Sequence, residues 1–162
     1  MPARHNVVVP ERAVVLDPQP CVWSSGAPEP LVLSSERRTF VVFTQPDRDQ
    51  VSEGCTAIEF VGCLGLSTGF PNDEALYGHT LWGKGLSFYQ VHEVIESSWL
   101  NRMREIERHH SGSPDIPFEG VRHFVLTFHD STVEALARDL VVAGSYASAA
   151  DAITEVSAKL LT

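Results

Sequence analysis

The chain has 162 residues, 43% hydrophobic and 20% charged, which is enough for one self-sufficient core and too apolar for a disordered chain. Its 21 acidic residues outnumber its 12 lysines and arginines, and the formal charge of −9 argues against nucleic acid and against an anionic membrane as a partner. Cys21, Cys55 and Cys63 are odd in number and lack CxxC spacing, so they form no disulfide framework; with no signal peptide, glycosylation sequon or long apolar run, the expectation is a reduced, cytoplasmic protein.

Residues 1–11 read as the loose N-terminal tail of a single domain spanning 1–162. Strands follow at Ala13–Leu16, Leu31–Leu33 and Thr39–Thr44, the last β-branched and aromatic and stopped by Pro46. The polar stretch 45–54 reads as a loop. Thr56, Ile58 and Phe60 then alternate on one face of a further strand, which resumes at 63–66 after a bulge at Gly62.

Residues 67–86 form a long irregular segment. It carries four glycines, and also Asp73, Glu74, Tyr77, His79 and Trp82. Long loops without regular structure are usually functional or disordered, and the aromatic content argues for order. Asp73, Glu74, Tyr77 and Trp82 are therefore candidate ligand-binding residues, and His79 a candidate for proton transfer. A turn built on Pro71-Asn72-Asp73 explains part of the pattern without function.

A helix is expected from 89 to 110, with Val91, Ile95, Trp99, Met103 and Ile106 as its apolar stripe. On that geometry His92 and Glu96 lie one turn apart facing the protein. They are candidates for acid–base chemistry, or for a metal if other ligands arrive from the sheet. His109-His110 and the loop to Pro114 end the helix.

The strand from Val121 to His129 has Phe124, Leu126 and Phe128 on one face and His123, Val125, Thr127 and His129 on the other. It runs into Asp130, Ser131 and Thr132. Ser131 and Glu134 have the spacing of a capping box, which predicts a helix over 133–142 capped by Gly144. The second arm of a hairpin is the alternative. If the helix forms, its N-terminus with Ser131 and Thr132 would receive an anion, and His129 with Asp130 would supply a general acid or base. The bland alternative is that Asp130 and Ser131 only cap. Ser148 and Asp151 repeat the spacing and predict a C-terminal helix.

The fold class expected is α+β: a mainly antiparallel sheet of about five or six strands, packed by one long helix and C-terminal helices. HExxH and P-loop patterns are absent from the sequence, which argues against zincins and P-loop NTPases. Two functions fit. One is a small enzyme acting on a polar metabolite through His79, His92, Glu96, His129 and Asp130. The other is a non-catalytic binding module that uses the segment 67–86 to hold a small molecule or a protein. The sequence names no cofactor, and a homo-oligomer is compatible with it.

Overall fold

The computed structural model describes residues 9–46, 54–110, 112 and 116–162. The strands are β1 (Arg12–Val15), β2 (Leu31–Ser34), β3 (Thr39–Thr44), β4 (Cys55–Val61), β5 (Gly65–Gly69), β6 (Val91–Ile95), β7 (Arg122–Thr127), β8 (Thr132–Ala137) and β9 (Asp139–Tyr146). Among the described residues, two α-helices, α1 (Ser98–Glu107) and α2 (Ala149–Leu160), and short 3-10 helices at Asp73–Gly78 and Ile116–Phe118 complete the regular structure. Most of the expected loose tail, the middle of the loop 45–54 and part of the exit after His110 lie outside the described residues.

The strands form two antiparallel sheets. One has the order β1-β6-β7-β8-β5, the other β2-β3-β4-β9. They face each other across a core of Val91, Phe124, Leu126, Phe128, Val133 and Ala135 from the first sheet and Val41, Phe43, Ile58, Phe60 and Leu140 from the second. The chain passes from the first sheet to the second between β1 and β2, and then makes two further crossings, between β4 and β5 and between β8 and β9. The latter two lie side by side: Arg138 N–H donates to Val61 O at 2.8 Å, and Leu64 N–H to Leu136 O at 2.7 Å. Gly62 permits this corner, because its φ of +60° is left-handed and a Cβ there would stand 2.5 Å from the Arg138 guanidinium.

Both sheets are covered on their outer faces as well. Phe40, Val42, Cys55 and Ala57 pack on Ala152 and Val156 of α2. On the first sheet, Ala13, Val94 and Val125 pack beneath Leu76, Leu81 and Leu86, while Leu136 packs beneath Leu100 of α1 and Phe118. Strands apolar on two faces explain the continuous run of β3, where alternation would mark a half-exposed strand.

The single sheet of five or six strands is therefore corrected to two sheets of five and four. The helix over 89–110 is corrected too. Val91–Ile95 is a strand, paired with β1 on one side and β7 on the other. Left-handed backbone at Tyr89 (φ +56°) and Glu96 (φ +53°) bounds it, and α1 starts only after its N-cap Ser97. Valine and isoleucine fit a strand as well as a helical stripe, and pairing on both sides decided between them.

The helix over 133–142 is likewise replaced by the hairpin alternative. β8 pairs with β7 and β5 and leads straight into β9. Gly144 caps nothing: it pairs with Ala57 beside a register shift in β4. The segment 67–86 is less irregular than expected, holding the end of β5 and the 3-10 helix. The C-terminal helix stands as read, with Ser148 Oγ accepting the Asp151 N–H.

Candidate functional site

The outer face of the first sheet is set by register. Val125 lies opposite Glu134, His123 opposite Val94 and Leu136, and Ser67 opposite Glu134 on the far side. His123 and Glu134 thus point the same way from neighbouring strands, away from the inter-sheet core. The segment between β5 and β6 folds over this face. It is fixed at one end by Asp73 N–H to His129 O (2.8 Å) and Thr132 Oγ1 to Pro71 O (2.9 Å), and at the other by Ala13 N–H to Lys84 O (2.8 Å).

Under this cover Glu134 meets two imidazoles. His123 Nε2 lies 2.9 Å from its Oε2, and His79 Nε2 lies 3.2 Å from its Oε1. Leu81 N–H donates to His79 Nδ1 at 3.1 Å, so the His79 ring carries its proton on Nε2 and donates it to the carboxylate. His123 Nδ1 lies 2.8 Å from Ser97 Oγ, which also accepts the Leu100 N–H at the start of α1. Trp99 meets the His123 ring edge-on at 5.1 Å. Burial alone would raise the Glu134 carboxyl, but hydrogen bonds from His123 and His79 outweigh it and hold the group at about 2.

A cavity of about 330 Å³ opens beside this set, lined by Glu11, Ser67, Thr80, Leu81, Ser98, Trp99, His123 and Glu134. Its volume falls at the lower end of the small-molecule range. Glu11 is itself fixed: its Oε1 accepts the Ser98 N–H at 2.7 Å, and its Oε2 lies 3.5 Å from Lys84 Nζ. Two carboxylates, three hydroxyls and an imidazole thus surround a space large enough for a small polar molecule.

The other candidate residues belong elsewhere. His92 is fully buried; its Nε2 accepts from Ser87 N–H at 3.1 Å, and its Nδ1 faces Val125 O at 3.3 Å. Burial pushes its imidazole below the ordinary value. Glu96 is exposed on the turn after β6. The helical His92–Glu96 pair expected to offer a metal two ligands therefore does not form. Among the described residues, no group of three or more His, Cys, Asp and Glu is arranged to hold a metal ion.

His129 heads a second polar group. Its Nδ1 lies 3.0 Å from Asp130 Oδ1, its Nε2 lies 3.8 Å from Asp73 Oδ2, and its ring stacks on Tyr89. The hydrogen bond with Asp130, then the charges of Asp73, Asp130 and Glu74, raise its imidazole. Tyr89 Oη donates to Asp73, which lowers that carboxyl and pushes the phenol up to about 12. Ser131 begins no helix, so no helix N-terminus offers an anion site here. Thr132 is buried on Pro71, Tyr77 and Glu74 are exposed, and Trp82 leans on Phe88.

His79, His92 and His129 thus have three separate sets of partners. His123 and Glu134 were not among the candidates from sequence. Their signal was present: His123 sits on the strand face opposite the phenylalanines, and the hairpin alternative brings Glu134 across from its neighbour Val125. Comparison of the chain with protein-family models, with curated proteins and with solved structures finds no match to any of them.

Proposed function

We propose that the chain is a small cytoplasmic enzyme that acts on a polar small molecule by proton transfer at His123 and Glu134, with His79 in support. The observation that carries this reading is one carboxylate bonded by two imidazoles at the wall of a 330 Å³ cavity. Glu134 fixes the protonated nitrogen of each ring and stabilises an imidazolium wherever one forms during turnover. Ser97 holds the far side of His123, so the ring keeps one orientation. Glu134 and Glu11 favour a ligand presenting hydroxyl or amino groups over one presenting phosphate or carboxylate. Three free cysteines suit a reducing compartment.

The test is a panel of polyols, amines and amino acids added to protein with ¹⁵N-labelled histidine rings. A true ligand shifts the His79 and His123 ring signals and is chemically converted by the parent. Glu134→Gln should abolish conversion. Binding without conversion would leave the binding-module reading, and a panel that moves neither ring would reject the pocket.

A further inference from the structure

The segment between β5 and β6 carries apolar surface that the described chain leaves open. Phe70 is 85% exposed, Tyr77 67%, Phe88 40%, and Trp82 and Tyr89 38% each. Three of these rings form a row that ends on His129. Centroids are 5.3 Å apart for Trp82 and Phe88, 6.0 Å for Phe88 and Tyr89, and 6.5 Å for Tyr89 and His129. The row is held in place: Tyr89 adopts a left-handed φ of +56°, costly for a bulky residue, and its hydroxyl donates to Asp73. Leu76, Leu81 and Leu86 of the same segment face the sheet, so the aromatic side is the outward one. Contiguous exposed apolar surface on a folded domain marks an interaction site.

Carboxylates crowd the His129 end. Asp130 has a side chain 79% exposed, Glu74 is exposed, and Asp73 lies beneath Tyr89. Lys84 is the one lysine or arginine between residues 67 and 90, and it leans toward Glu11. Aromatic faces are themselves electronegative and attract cations. We propose that this row is a docking surface for a basic segment of another protein, whose arginine or lysine side chains lie over Trp82 and Phe88 and pair with Asp130 and Glu74. Charge selects among occupants. A chain of charge −9 repels a second copy of itself, an anionic bilayer and nucleic acid, and attracts a basic peptide. The surface is separate from the Glu134 cavity, whose lining includes none of these exposed rings.

The experiment is an NMR titration of the ¹⁵N-labelled chain with a short arginine–glycine repeat peptide, and with a glutamate–glycine repeat as its counterpart. The cationic peptide should shift the Trp82 indole and the amides of Phe88 and Tyr89 saturably, with affinity that falls as salt rises. The anionic peptide should shift nothing. Replacing Trp82 and Phe88 together by alanine should weaken binding about tenfold. Asp130→Lys, at an exposed side chain, should weaken it as well and serves as a second variant if the alanine pair disturbs folding. The proposal is overturned if neither substitution changes binding, if the shifts fall elsewhere, or if no saturable shift occurs. It is equally overturned if sedimentation shows a dimer that the alanine pair dissociates, or if zwitterionic vesicles bind where the peptide does not.

Discussion

His92 and Glu134 both make the fold prefer neutral pH, for different reasons. The His92 imidazole is held below its ordinary 6.5 by burial, so the unfolded chain takes up a proton that the folded chain refuses. Its contribution is complete above about pH 6.5 and is lost as pH falls toward the folded value. His92→Leu should cost about 1–3 kcal/mol near neutrality, because Ser87 N–H loses its acceptor. The gap between parent and variant should narrow at about pH 5.5 in urea melts; a gap that widens would sink this assignment. Glu134, held at about 2, contributes stability that is present above its ordinary 4.5 and lost below it. Glu134→Gln should cost about 1–3 kcal/mol at neutral pH, with a difference that closes in acid. Its second imidazole partner, His79, could not be read from sequence spacing. His79 and Glu134 are 55 residues apart, and only strand register and the folded-over segment bring them together.

At the scale of elements, the same local pattern has two outcomes. Ser148 and Asp151 begin α2, and Ser148 Oγ accepts the Asp151 N–H. Ser131 and Glu134 have identical spacing, yet Thr132–Ala137 is a strand with a partner on each side. Ser148→Ala should therefore cost about 1 kcal/mol, and Ser131→Ala less than about 0.5 kcal/mol. Equal losses in thermal or urea melts would mean that the capping assignment is wrong. The difference was not legible locally. Val133, Ala135 and Ala137 reach the inter-sheet core, and two neighbouring strands outweigh a cap worth about 1 kcal/mol. The strand at the start of 89–110, where a helix is expected, has the same origin. A stripe at helical spacing was present, but Val91 and Val94 are wanted on opposite faces of a strand: Val91 in the inter-sheet core, Val94 beneath Leu86. α1 keeps the latter part of that stretch because Ser97 caps it, and its Ile106 remains 58% exposed.

For the whole molecule, the inter-sheet core should carry the stability. Phe124 and Phe128 were legible as inward residues from the alternation of one strand. What they would face was not, because Phe43, Phe60 and Trp23 come from the other half of the chain. Phe124 packs on Phe60 at 6.1 Å, and Phe128 sits between Trp23 at 4.4 Å and Phe43 at 5.6 Å. Two crossings at Gly62 and Arg138 bring the sheets face to face, so these contacts join residues far apart in sequence. Removing one ring opens a cavity between two sheets that are already covered on their outer faces by α2, α1 and the segment 70–90. Collapse into that cavity is resisted from both sides, which places the cost at the upper part of the usual range. Phe128→Ala should destabilise the fold by about 3–5 kcal/mol. Phe70→Ala changes the same residue type at a site 85% exposed and should stay within about 0.5 kcal/mol of the parent. Urea denaturation of the two variants decides the matter: if Phe128→Ala melted with the parent, the two sheets could not share the core described.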